Sequence, residues 1–121
     1  MGNVNSSNFG NSTSVVQVEG KTVRYGYYKN KKKVLYDGIS LNLPKSEVKS
    51  FKKLKYSYAK THLHVFYKGE IIPDALPENF QVINRKETPP EFIRFNSVIA
   101  VETENGVKRI YQFGKLIVTI N

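Results

Sequence analysis

Cysteine and tryptophan are both absent from the 121 residues. Without a thiol the chain has no disulfide, no thiolate zinc ligand and no cysteine nucleophile. A chain of this length is expected to form a core without such staples, since the need for them fades above roughly 70–80 residues. Arginine is scarce: four of the 19 basic residues (Arg24, Arg85, Arg94, Arg109), the other fifteen being lysine. Lysine is a hydrated point charge, whereas arginine reads phosphates and base edges bidentately. The net charge of +9 therefore points to solvation or loose attraction to an anionic surface rather than to base-specific readout. No apolar run approaches the ~18–20 residues that cross a bilayer. The opening MGNVNSSNFGNSTS lacks the basic and apolar regions of a secretory signal, which predicts a cytoplasmic chain or one within an intracellular or virion assembly. The two histidines, His62 and His64, fall short of the three or four ligands zinc wants, so no metal and no other cofactor is expected. Acids are scattered and glycines single. Neither a Ser-His-acid spacing nor a Gly-rich phosphate loop is visible, so no catalytic residue and no small-molecule substrate is expected.

What the chain does have is strand-like patterning around glycine turns. VVQVEGKTVRYGYY, from Val15, alternates about Glu19-Gly20 and reads as a hairpin. VLYDGISL (34–41) and VFYKGEII (65–72) then align without a gap at an offset of 31. Each predicts a hairpin with a two-residue turn, Asp37-Gly38 or Lys68-Gly69, placing Val34 opposite Leu41 and Val65 opposite Ile72. Both copies run on to a Leu-Pro step, Leu43-Pro44 and Leu76-Pro77, where proline suits the first turn of a short helix. The anchors that follow are Val48 and Phe80. A weaker third copy, IYQFGKLI (110–117), puts Ile110 opposite Ile117 about Gly114. Before it, Asn105-Gly106 sets Glu102 opposite Arg109 and Val101 opposite Ile110. Pro89-Pro90 marks a linker.

The pattern predicts an all-β or β-dominated antiparallel meander of about three stacked hairpin repeats with short helical turns. A flexible polar arm, 1–14, precedes one repeat domain, 15–121, with units at about 15–54, 55–88 and 92–121. The expected core is Val34, Leu35, Leu41, Val65, Phe66, Ile72, Phe80, Ile110 and Ile117, with Tyr36 and Tyr67 partly buried.

Residues 29–60 hold ten lysines and two acids, Asp37 and Glu47, a local balance of +8. Lys29, Lys31, Lys32, Lys33, Lys49, Lys52, Lys53 and Lys55 are the candidates for an anionic surface. The plainer reading is that Lys29 to Lys33 fills the hairpin loop that KTHLH fills in the second copy, a loop that needs polarity rather than lysine. Tyr27, Tyr28, Tyr36, Tyr56 and Tyr58 could stack on single-stranded bases, or serve as strand and core residues. MGNVNS matches the myristoylation pattern with Gly2 as acceptor, and one acyl chain with a polybasic face is enough to hold a membrane. In the arm, Phe9 is the one aromatic able to anchor in a partner. The leading expectation is a non-catalytic structural or interaction protein, a small component of a larger assembly with protein partners. An N-myristoylated protein on an anionic membrane comes second, and a nucleic-acid-binding module third.

AKTHLHVFYKGEIIPDALPENFQVI (59–83) resembles the DKNYY repeat family. The matching positions are Ala59, Lys60, Val65, Phe66, Tyr67, Gly69, Ile71, Ile72, Ala75, Pro77, Phe80, Val82 and Ile83. Residues 28–48 are a shorter, looser copy, and the last 30 residues show little of the motif. Thr61-His62-Leu63 stands where the family has Asp-Lys-Asn. The resemblance implies a small β-rich repeat and no activity.

Overall fold

The structure is a computed structural model and describes residues 14–18, 21–83 and 98–121. Strands β1 (Ser14–Val18) and β2 (Lys21–Tyr25) pair antiparallel with Val18 opposite Lys21. The Glu19-Gly20 turn expected between them lies outside the described residues, as do residues 1–13 and the Pro89-Pro90 linker. Ser14, expected at the end of the arm, opens β1.

Three antiparallel sheets follow. The first is β3 (Tyr27–Lys29), β4 (Val34–Tyr36) and β5 (Ile39–Ser40), after which helix α1 (Lys45–Ser50) leads onward. The second is β6 (Lys52–Lys53), β7 (Tyr58–Lys60), β8 (Val65–Tyr67) and β9 (Glu70–Ile71), followed by a 3-10 turn at Pro77–Asn79. The third is β10 (Phe80–Ile83), β11 (Ile99–Glu104), β12 (Val107–Gln112) and β13 (Lys115–Ile120). The fold is β-dominated, as the turn spacing predicts. Each Leu-Pro step does open a helical segment. Pro77 is the first residue of its turn, whereas Pro44 stands just outside α1 with extended backbone (φ −64°, ψ 159°).

The two-residue turns form where glycine chemistry places them. Asp37-Gly38, Lys68-Gly69 and Asn105-Gly106 each have positive φ at both positions, 50° and 81°, 49° and 80°, and 52° and 81°. That is the backbone of a type I′ turn, whose twist matches that of the flanking strands. Backbone bonds of 2.9 Å from Leu41 N to Val34 O and 2.8 Å from Ile72 N to Val65 O close the first two hairpins in the expected register. In the third sheet Glu102 faces Arg109 and Val101 faces Ile110, also as expected.

The last hairpin departs from expectation. Phe113-Gly114 turns the chain and sets Leu116 opposite Tyr111, but a bulge at Ile110/Tyr111 then places Ile110 opposite Val118. Ile117 becomes the extra residue of the bulge and is exposed rather than core. The shift puts Val118 and Ile120 against Ile99, Val101 and Ile110, a better apolar face than the unshifted register allows.

The core is a series of layers between sheets. On β8, Phe66 packs with Tyr27, Val34, Val48, Phe51 and Ala59, while its neighbour Val65 packs with Tyr58, Ile72, Phe80, Ala100 and Tyr111. Alternate residues of a strand point to opposite faces, so the second sheet is buried on both sides. Leu35 and Leu41, expected as core, are half-buried. Tyr36 and Tyr67 are half-buried as expected.

Candidate functional site at the junctions between units

The 31-residue repeat extends to side chains that tie one unit to the next. Tyr27, wholly buried on β3, donates its hydroxyl hydrogen to Ser57 O (2.8 Å) and accepts from Gly69 N (2.9 Å), in the turn of the second unit. Thirty-one residues on, Tyr58 accepts from Gly114 N (2.9 Å), in the turn of the third. Burial pushes both phenols above their ordinary range. Tyr36 and Tyr67, the tyrosines before the first two turns, stack beside Tyr27 and Tyr58 with centroids 4.7 and 4.8 Å apart. Each also packs against the glycine of the following unit's turn. A Cβ on Gly69 would come 2.9 Å from Tyr36 Cβ, and one on Gly114 would come 2.5 Å from Tyr67 Cδ2. The Tyr-x-Gly signature therefore joins successive units: the tyrosine of one needs the bare glycine of the next.

The loops before β4 and β8 repeat in the same way. Asn30 Oδ1 accepts from Lys32 N and Lys33 N, and Thr61 Oγ1 accepts from Leu63 N and His64 N. Loop 30–33 and loop 61–64 are thus one structure with different surfaces, as the alignment predicts. Thr61 adds a link. Its hydroxyl donates to Glu47 Oε1 (2.7 Å) on α1 of the previous unit, and His64 Nδ1–H donates to the same oxygen (2.7 Å). Burial opposes ionisation of Glu47, but the bonds from His64 and Thr61 outweigh it and hold the carboxyl below its ordinary range. Unfolded glutamate titrates near ~4.3. This contribution to stability is therefore present above that value and lost as pH falls through the lower folded value. Acidifying from about pH 6 to about pH 3 should cost the native chain more stability in urea than it costs Glu47→Gln. Equal losses would contradict the assignment.

At the second junction Glu102, fully buried on β11, takes the matching part. It accepts from Arg109 Nη1 (2.6 Å), Tyr111 Oη (2.9 Å) and Leu76 N (3.0 Å), the last in the previous unit. Burial and the neighbouring carboxylate push the Tyr111 phenol up. The bond to Glu102 raises the Arg109 guanidinium.

The candidate lysines divide between structure and surface. Lys29, proposed for an anionic face, instead turns its Nζ onto Lys49 O and Phe51 O (3.3 and 3.2 Å) at the end of α1. Its repeat mate Lys60 does the same for Pro77 O (2.9 Å). For Lys29 the partners are carbonyls at the C-terminal end of α1, which cations suit; Pro77 O, at the start of its turn, accepts from Phe80 N as well. Burial, with Lys52 directly opposite on β6, lowers the Lys60 ammonium. Lys31, Lys32, Lys33, Lys49, Lys52 and Lys55 are exposed, and Lys53 is half-buried. They are spread over the loop after β3, α1, β6 and the turn beyond it. Of the tyrosines suggested for stacking, Tyr27 and Tyr58 are buried, Tyr28 and Tyr36 half-buried, and Tyr56 exposed. Gly2 and Phe9 lie outside the described residues.

His62 and His64 sit in the loop between β7 and β8, not side by side on a strand, and they hold different partners. His62 Nδ1 bonds Ser50 Oγ (2.7 Å), whereas His64 bonds Glu47. Sequence spacing missed the Ser50–His62 pair because its members come from different units. The carboxylate nearby, Glu47, hydrogen-bonds the other histidine, so among the described residues no relay from acid through imidazole to hydroxyl is assembled. Among the described residues no three His, Cys, Asp or Glu are grouped to hold a metal ion. No helix among them is long and apolar enough to cross a membrane.

A tandem of small antiparallel sheets, each sharing its cores with its neighbours and locked by tyrosine on glycine, is a repeat architecture. A model of the DKNYY family matches residues 27–121, and the chain belongs to that family. The match takes in the last 30 residues, beyond the stretches where the motif is legible. No curated protein and no solved structure matches the chain.

Proposed function

We propose that the protein is a non-catalytic scaffold within a larger assembly, taking a protein partner along its last strand and through its N-terminal arm. Strand β13 carries this reading. Among the described residues β12 is its one neighbour, and Leu116 and Ile117 stand exposed on it. An open strand edge is a template for an added strand, with main-chain bonds giving affinity and alternate side chains giving choice. Lys115, exposed at the start of that edge, with the net charge of +9, favours an extended acidic segment.

The arm is tested separately. Deleting residues 1–13 should leave stability unchanged within about 0.5 kcal/mol, because the segment offers a core only Val4 and Phe9 beyond Met1. The same deletion should release the protein from its native complex, and Phe9→Ala should reproduce most of that loss. Co-purification from the source cells reads both. Retention after deletion, or loss with Gly2→Ala alone, would overturn the arm as a protein contact.

A further inference from the structure

The turn that opens β13 places an aromatic residue where its counterparts place polar ones. Asp37 and Lys68 occupy the first position of their turns, and Phe113 holds that position in the third with φ 51°. Positive φ suits Asn and Asp but makes a bulky side chain an outlier. Packing does not compensate, because Phe113 is 64% exposed. Tyr56, 52% exposed, is also held at positive φ (58°) across the same junction. Between them lies a cavity of about 320 Å³ lined by Tyr56, Ser57, Tyr58, Tyr67, Val98 and Phe113. Two exposed rings on strained backbone, above a floor of two tyrosines, have no role in the core. Such strain collects where a ligand is held.

The surroundings decide the ligand class. Among the described residues that line this cavity none is an acid. Exposed lysines adjoin its rings in the chain: Lys55 before Tyr56, Lys68 after Tyr67, and Lys115 beyond Phe113. The Lys68 ammonium stands 5.6 Å from the centre of the Tyr67 ring. Tyr25, 31 residues before Tyr56 and 45% exposed, holds the matching repeat position at the first junction, where Lys68 takes the place of Phe113 and Asp37 bonds the neighbouring Gly26 N. Flat rings repeated along an array, interleaved with lysine rather than arginine, match a polymer of planar groups joined by anions, read without base specificity.

We propose that this face binds single-stranded nucleic acid, with one base stacked between Tyr56 and Phe113, its phosphates on the flanking lysines, and the strand continuing toward Tyr25. It adjoins the β13 edge at Lys115, the first residue of that strand. The test is fluorescence anisotropy of a labelled ~20-nucleotide thymidine homopolymer with the full chain at low salt, beside a duplex and a labelled proline-rich peptide. Phe113→Asn restores the favoured Asn-Gly turn and removes the ring. It should raise the melting temperature while weakening oligonucleotide binding by about 5–150-fold, as for loss of one stacked base. Tyr56→Ala should weaken binding similarly, and affinity should fall steeply with salt. Absence of binding at low salt, binding that survives both substitutions, a lower melting temperature for Phe113→Asn, or preference for the duplex or the peptide would each overturn the proposal.

Discussion

Replacing Gly114 by alanine is expected to cost about 2–5 kcal/mol. The residue sits at φ +76°, where an L side chain costs about 1–2 kcal/mol. The new Cβ would also lie 2.5–2.7 Å from Tyr67 Cδ2, Cγ and Cβ. Tyr67 cannot simply yield, because its ring is stacked on buried Tyr58. Overpacking of this kind adds roughly 1–3 kcal/mol. Against a total stability of about 5–15 kcal/mol, that is a large share. Gly106→Ala isolates the first effect. Its φ is +81°, but nothing lies within 4 Å of a Cβ there, so about 1–2 kcal/mol is expected. Gly69→Ala should fall close to Gly114→Ala, because Tyr36 stands 2.9 Å from its Cβ position. Urea unfolding of the three variants reads the order directly. Equal losses at all three positions would mean that the tyrosines do not press on the turns.

Glu102→Leu is expected to cost about 2–6 kcal/mol, since the Tyr111 hydroxyl and the Leu76 N–H lose their acceptor and each orphaned donor costs about 1–3 kcal/mol. In the native chain every buried side-chain polar atom described has a hydrogen-bond partner, and for the Tyr111 hydroxyl that partner is Glu102. Adding Tyr111→Phe to Glu102→Leu should recover part of the loss by removing one of the two orphans. Urea denaturation of the single and double variants measures this. A loss below about 1 kcal/mol for Glu102→Leu would show that the junction does not depend on this carboxylate.

The parts of the fold legible in the sequence are those set by local chemistry. Asp37-Gly38, Lys68-Gly69 and Asn105-Gly106 name their turns because glycine reaches positive φ at little cost. The 31-residue offset named the first two hairpins. The same offset also pairs Tyr27 with Tyr58, Lys29 with Lys60 and Asn30 with Thr61, upstream of the hairpins, where the residues change and the likeness fades. A side chain kept at one repeat position for a bond to the next unit looks, in sequence, like any strand tyrosine. Lys29 shows the same difficulty. In a run of lysines nothing distinguishes the one that bonds the carbonyls ending α1 from its exposed neighbours. The bulge at Ile110/Tyr111 was illegible for another reason. Ile117 and Val118 are both apolar strand formers, and the packing of Val118 against the third sheet's core, not propensity, settles which faces inward.

A double-mutant cycle tests most directly whether the units are joined by tyrosine on glycine. Gly114→Ala, Tyr67→Ala and the double variant are compared by urea unfolding, with Tyr36→Ala in place of Tyr67→Ala as the control pair. If Tyr67 presses on the third turn, the clash disappears with the ring. Gly114→Ala should then cost at least about 1 kcal/mol less in the Tyr67→Ala background than in the native one, while the Tyr36 pair adds within about 0.5 kcal/mol. Additivity in both cycles would contradict the lock and leave the units joined by general core packing alone.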